Sequence, residues 1–286
     1  MGFLFGVTTA LAWGSADFIA RFATRKIGTL RALFYMQFWG LLILTFFLIR
    51  LHAWGHLFDG SGWRPWAWGF LAGGFNTLAM LAFYRCLEIG KLSVVAPLSA
   101  SYPVLTLLLS VLSGERLTIA RICGIVFTMV GVLLVARGEA EIGDSAKNAR
   151  QGIIWAICAS VAFGFLFWIL GAHVIAATGH AATVWIIRLT GSTVTFCILR
   201  FKRLPLAHPL GAANWQTAGM GILDTGAFVL NNRGMQLEQV SVITVLSSLY
   251  GAVTVLLAAI FLRERVSMLQ WLGIVAIFAG IVLIGR

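Results

Sequence analysis

Arg85-Cys86-Leu87-Glu88-Ile89-Gly90-Lys91-Leu92-Ser93-Val94-Val95 returns 148 residues later as Arg233-Gly234-Met235-Gln236-Leu237-Glu238-Gln239-Val240-Ser241-Val242-Ile243. The match reaches back to Gly73 on Gly221 and Asn76 on Asp224, and forward to Tyr102 on Tyr250. After a shift of one residue it continues through Glu115-Arg116-Leu117 on Glu264-Arg265-Val266, Gly124 on Gly273 and Gly131 on Gly280. A single short match arises by chance; one that keeps its order over this much chain points to a duplication. In membrane proteins, duplicated halves are associated with transporters whose site lies between them.

Composition places the chain in a membrane. Of its 286 residues, 60% are hydrophobic and 11% charged, against about 25% charged in soluble domains. The mean hydropathy is +0.93, more than a soluble core of this size needs. The formal net charge of +11 does not indicate nucleic acid, because the basic residues stand singly or in small groups between apolar runs. That is the pattern of juxtamembrane anchoring.

A span needs about 20 apolar residues to cross about 30 Å of hydrocarbon. Ten candidates can be read, at 3–22, 30–50, 65–87, 92–112, 118–137, 151–172, 181–201, 213–235, 240–262 and 267–285. They should be helices, since backbone amides in lipid must be satisfied within their own segment. The first span has no basic n-region and reads as a retained helix rather than a cleaved signal. A polar connector over 138–150, with Glu139, Glu141, Asp144, Lys147 and Asn148, separates a first repeat at 1–137 from a second at 151–286.

The expected fold is therefore all-α integral membrane, with ten transmembrane helices arranged as two inverted five-helix repeats. Five is odd, so the halves must start on opposite sides of the bilayer, as in many transporters that work by alternating access. One set of connectors carries 14 of the 21 lysines and arginines and the other set 6, with Arg188 inside a span. The richer side should be cytoplasmic, which puts both termini outside the cytoplasmic (inner) membrane.

Ionisable residues inside spans are the sharpest functional signal. A central Asp costs roughly 2.5 to 3.5 kcal/mol on insertion scales, so it tends to face a cavity or a partner. Asp224 lies near the middle of helix eight, with Asn231 seven residues on and Asn76 as its repeat counterpart in helix three. A midplane binding site and a helix-packing hydrogen bond are both open readings. Arg188, in helix seven, either holds a substrate carboxylate or neutralises Asp224. Asp17 and Arg21 in helix one are four apart and suit an ion pair; the alternative is a proton-coupled carboxylate, a role also open to Asp224. Glu88, Glu115 and Glu264 fall at helix ends, where capping or interfacial roles suffice.

Among 11 Trp and 21 Phe, Trp54, Trp63, Trp66 and Trp68 suit an interfacial belt. Trp13, Tyr84, Tyr102, Trp168, Trp185 and Tyr250 lie nearer span interiors or match across the repeat. Trp13, Tyr84, Tyr102 and Tyr250 join Asn76, Arg188, Asp224 and Asn231 as candidates to line the cavity. Tyr102 and Tyr250 stand out because both occupy the fourth helix of their half, although packing with a satisfied hydroxyl is the alternative. Cys86, Cys123, Cys158 and Cys197 sit in separate spans without metal or redox spacing. His52 with His56, and His173 with His180, lack a nearby carboxylate, so no metal and no cofactor is expected. Gly69 and Gly73 suit close helix packing.

In order along the chain, Trp13-Gly14-Ser15, Tyr84-Arg85-Cys86-Leu87, Pro97, Tyr102-Pro103, Gly114-Glu115-Arg116-Leu117-Thr118 and the Gly124/Gly131 helix resemble the EamA-type repeat of the drug/metabolite transporter superfamily. The resemblance covers the chain twice. It implies a permease for small metabolites, often amino acids or related solutes, frequently exported. In the second half Trp13-Gly14 becomes Phe163-Gly164, Pro97 becomes Val245 and Pro103 becomes Gly251, so the halves should bend unequally. The implied partners are a small-molecule solute, membrane lipid, and a proton or counter-solute, with no nucleic acid. A lipid-linked sugar flippase is the alternative within transport. An integral-membrane transferase would need clustered acids or histidines, and neither these nor a GxxxxGK[ST] loop occurs.

Overall fold

The computed structural model describes residues 2–113, 118–137, 144–206, 211–237, 240–263 and 266–284, and every regular element among them is helical. By chain continuity the segments form ten rods. The first half holds α1 (Gly2–Ile27), α2 (Thr29–Leu51), α3 (Arg64–Ile89), α4 (Leu92–Ser99, resuming as Pro103–Leu112) and α5 (Ile119–Arg137). In the second half, α6 (Asp144–Ile169) runs through a π turn at Leu170–Val174 into Ile175–Thr178. After it come α7 (His180–Phe201), α8 (Ala212–Leu237), α9 and α10 (Met268–Ile284). α9 consists of Val240–Ser248 and Tyr250–Leu257 with a terminal π turn at Ala258–Leu262.

Six described helices are long and apolar enough to cross a membrane: Thr29–Leu51, Arg64–Ile89, Leu92–Leu109, Lys147–Thr178, His180–Phe201 and Ile243–Leu262. Ile122–Gly131 and Met268–Leu283 are shorter apolar stretches. Leu42, Phe46, Phe127, Met129, Trp271 and Val275 are exposed, as expected where lipid is the solvent and an apolar surface costs nothing.

The polar connector expected at 138–150 is partly helix. α6 begins at Asp144, so Lys147, Asn148 and Arg150 form exposed early turns of a helix rather than a loop. Asp144-Ser145 is a helix-starting pair, and the polar composition that suggested a loop suits a helix end standing in water. Glu139 and Glu141 of that connector lie outside the described residues, as do Glu115 and Glu264.

Beside the unequal bending expected from Pro97 and Pro103, α4 and α9 share one feature: they break at the same register. In α4 the interruption covers residues 100–102, with Ser101 N donating to Leu98 O at 3.3 Å. In α9 it falls at Leu249, whose N donates to Leu246 O at 3.3 Å. Serine hydroxyls compete for the helical carbonyls in both places: Ser99 Oγ donates to Val95 O at 2.7 Å, and Ser247 and Ser248 Oγ donate to Thr244 O and Val245 O. Such back-bonding bends helices without proline. The interruption is wider in α4, which carries the prolines, but the break itself occurs in α9 without them.

Packing is reciprocal between the halves. α1 packs on α8 as α3 packs on α6, and α2 on α8 as α3 on α7, while α2·α7, α4·α9 and α5·α10 pair equivalent rods. Single atoms obey the same exchange. Thr254 Oγ1 donates to Gly14 O at 3.3 Å and Thr106 Oγ1 to Gly164 O at 3.2 Å. At the α5·α10 seam, a Cβ on Gly131 would meet Gly273 O at 2.6 Å, and one on Gly280 would meet Gly124 O at 2.6 Å. The repeat-matched glycines are there because the backbones touch.

Two details explain shifts in the repeat spacing. Gly14 and Gly164 are 150 residues apart, whereas Gly28 and Gly179 are 151 apart. Gly28 (φ +82°) and Gly179 (φ +87°) start α2 and α7 in the same left-handed conformation, one that a Cβ would strain. The extra residue between these markers is taken up by the π turn of α6. The later step from 148 at Tyr102/Tyr250 to 149 at Gly124/Gly273 likewise spans the π turn of α9. A π turn is how an α-helix accommodates an inserted residue.

Candidate functional site

A central cavity of about 30 Å³ is lined from α1 by Trp13 and Asp17, from α3 by Asn76, Met80 and Phe83, and from α4 by Tyr102. The second half contributes Phe163, Leu166 and Phe167 from α6, Asp224 and Phe228 from α8, and Tyr250 from α9. Apart from the adjacent Leu166 and Phe167, neighbours within each helix are three or four apart, the spacing that keeps side chains on one face. Tyr102 and Tyr250 adjoin the two helix breaks, and so enter from equivalent points.

Most of the lining comes in repeat-matched pairs: Trp13 with Phe163, Asp17 with Phe167, Asn76 with Asp224, Met80 with Phe228, and Tyr102 with Tyr250. The cavity therefore lies where exchange of the halves maps it onto itself. Its volume suits about two waters, well below the several hundred Å³ of ordinary small-molecule sites. The cavity as it stands is too small to hold such a molecule.

Aromatic rings form most of the wall. Trp13 meets Phe167, Phe228 and Tyr250 edge to face at 5.9, 5.8 and 6.1 Å between centroids. Tyr102 stacks on Phe167 at 4.7 Å, and its hydroxyl lies 3.3 Å from Ser247 Oγ. Tyr250 Oη makes no well-aligned hydrogen bond, with Ser99 as its nearby polar neighbour. Asn76 Nδ2 is likewise buried and unpartnered.

Arg188 stands behind the wall rather than in it. Fully buried, it pairs through Nη2 with Asp224 Oδ2, donates from Nε to Thr225 Oγ1 at 3.0 Å and from Nη1 to Gln37 Oε1 at 2.7 Å. Its guanidinium carbon is 5.8 Å from the Phe228 ring centroid. Of the two readings left open, the structure forms the pair with Asp224. The expected Asp17–Arg21 pair is not formed: Arg21 Nη1 instead donates to Leu87 O at 3.3 Å and Gly90 O at 2.6 Å, at the end of α3.

Two further candidates do not reach the cavity. Tyr84 is buried beside Asp17 and Asp224 but is not among the residues that line the cavity. Asn231, the repeat counterpart of Phe83, is fully buried but is not among the lining residues; its Nδ2 contacts Met235 Sδ at 3.8 Å. Glu88 accepts from Thr29 Oγ1 at 2.5 Å and from Arg85 Nη1 at 2.8 Å, an interfacial role. His56 Nδ1 lies 2.6 Å from Asp59 Oδ2 in an exposed loop. Hydrogen bonds from Ser61 and His56 lower the Asp59 carboxyl from its ordinary value to about 2. Among the described residues no three His, Cys, Asp or Glu gather as a metal site.

The sequence reading missed Gln37, which completes the Arg188 network. A signal existed: Gln37-Phe38-Trp39-Gly40 lies 151 residues before Arg188-Leu189-Thr190-Gly191, the spacing of Gly28 and Gly179. A Cβ on Gly40 would meet Arg188 Nε at 3.2 Å, and one on Gly191 would meet Gln37 Nε2 at 2.5 Å. Gln37 is thus the positional counterpart of Arg188.

The model of the EamA-like transporter family matches residues 1–137 and, separately, 150–286. An uncharacterized transporter, YxxF, from Bacillus subtilis (strain 168) is 27% identical over 184 residues, which is 63% of this chain and 57% of that protein. The matched region thus spans little more than half of the relative's length. A crystal structure of a protein 18% identical shares the fold with a TM-score of 0.71, over 99% of this chain and 95% of that one. With the apolar helices, these matches describe an all-α, multi-pass membrane transporter of two-repeat fold, and they point away from an enzyme.

Proposed function

The chain belongs to the EamA-like transporter family, and from that premise we propose that it is a secondary permease for small metabolites, with the central cavity as its solute site. Ten rods cross the cytoplasmic membrane, and the halves 1–137 and 151–286 rock against each other to expose the cavity to either side in turn. The observation that carries this reading is the paired lining. A site that maps onto itself when the halves exchange can be reached equivalently from either face, which is what alternating access between inverted repeats requires.

The small volume supports a cycle with a closed state. Solute enters only when the rods separate, so the site is not an open channel. The same small volume favours a compact solute over a lipid-linked sugar, which needs a lateral groove for its chain. The coupling species is a proton or counter-solute, with Asp17 as the carboxylate exposed to the cavity and free of an ion pair among the described residues.

The test is flux in proteoliposomes under imposed solute and proton gradients, with amino acids and other small metabolites as cargo. Wild type is expected to move at least one of them, and Asn76→Ala to slow that flux at least tenfold while the purified protein stays monodisperse. Absence of flux for every cargo under both gradients would overturn the reading.

A further inference from the structure

Charge, ring placement and unpartnered donors in the cavity point to one solute class. This inference rests on the cavity being the solute site. We propose that the solute is a small organic monocation, an ammonium or comparable nitrogen cation with a compact apolar body and one hydrogen-bond acceptor, held with Asp17 as counter-charge.

Two carboxylates line the cavity, and only one is neutralised. Asp224 has Arg188, whose Nε, Nη1 and Nη2 are engaged by Thr225, Gln37 and Asp224. That guanidinium is fully buried, so it has no fork to offer an arriving anion. Around Asp17 stand Asp224 from α8, Tyr250 from α9, and Tyr84 and Cys86 from α3, while Arg21 on its own helix reaches toward the Leu87 and Gly90 carbonyls. Among the described residues no ion pair reaches Asp17. An uncompensated carboxylate in a water-poor site is costly, and a cationic solute removes that cost.

The walls fit the same cargo. Trp13 stands edge-on to Phe167, Phe228 and Tyr250, so four rings wall the cavity, and ring faces attract desolvated nitrogen cations. Phe228 already serves Arg188 in this way. The unpartnered Asn76 Nδ2 and Tyr250 Oη are donors that an acceptor oxygen on the solute would satisfy. A zwitterion fits less well, because its carboxylate would have only these neutral donors and would face Asp17 and Asp224.

The experiment is isothermal titration of the purified full-length protein with tetramethylammonium, choline, the neutral choline isostere 3,3-dimethylbutan-1-ol, and the zwitterion glycine betaine. Choline is expected to bind at least tenfold tighter than either the isostere or the betaine. Asp17→Asn should weaken choline at least tenfold without changing the isostere, and Asp17→Glu should recover part of the loss. Equal binding of choline and its isostere in the wild type, which needs no variant to fold, would overturn the proposal, as would failure of both cations to bind. Betaine binding that depends on Asn76 but not on Asp17 would sink the cation inference and leave the cavity as the solute site. If ligands bind and none responds to Trp13→Ala or Asn76→Ala, the cavity reading itself falls.

Discussion

At the centre of the second half, Arg188 and Asp224 form a buried ion pair; at the equivalent positions of the first half stand two neutral amides, Gln37 and Asn76. The amides keep the placement of the charged residues, and one of them accepts directly from Arg188. At the ends of α3 and α8 the polarity reverses. Arg85 pairs with Glu88 at 2.8 Å in the first half, and Arg233 with Gln236 at 3.2 Å in the second. The halves have kept one geometry and diverged in where they carry charge. Asymmetry in this molecule is chemical before it is architectural.

The largest expected effect comes from forcing the second half toward the chemistry of the first. Arg188→Gln alone leaves Asp224 buried without its cation and should cost about 3–5 kcal/mol, read as lost monodisperse yield and a lower melting temperature in detergent. Adding Asp224→Asn recreates the Gln/Asn pair of the first half and should recover most of that loss. A double variant no better than the single would break the comparison. Asp224→Asn alone strands Arg188 in turn, so its effect on transport is interpretable only beside the double.

Next in size is the glycine seam. Gly131→Ala and Gly280→Ala each drive a methyl into backbone atoms of the facing rod, at 2.6 Å in both cases, and overpacking of this kind costs about 1–3 kcal/mol. Matching losses of melting temperature would sharpen the equivalence of the halves, and a loss confined to one side would contradict it. The smallest effect belongs to the two threonine clasps. Thr106→Val and Thr254→Val each remove one interhelical hydrogen bond, worth about 0.6 kcal/mol in membrane proteins, and their melting shifts should agree with each other.

Much of the fold was legible in the sequence because lipid makes helices obligatory and apolar runs mark them. The pair Asn76/Asp224 and the two tyrosines were legible because the repeat aligned them. The remainder failed for geometric reasons. The wall residues Met80, Phe83, Phe163, Phe167 and Phe228 belong to a composition so rich in apolar side chains that periodicity does not separate a cavity face from a lipid face. Arg188 was visible as a buried charge, but its direction depended on Gln37, whose equivalence was hidden by a spacing of 151 where the neighbouring repeat runs at 148. Asn231 shares a face with Asp224 and matches Phe83 in the repeat, yet its amide turns to Met235 rather than to the cavity.

The two π turns carry a consequence of phase. One extra residue in a continuous α-helix rotates everything after it by about 100°, enough to turn an inward side chain out to lipid. Each π turn of the second half confines that rotation to a single widened turn, so the residues beyond it return to the angle their counterparts keep. Within its helices the second half has taken up two extra residues, one at each π turn, and its other change of length falls between helices, where no rotation is passed on.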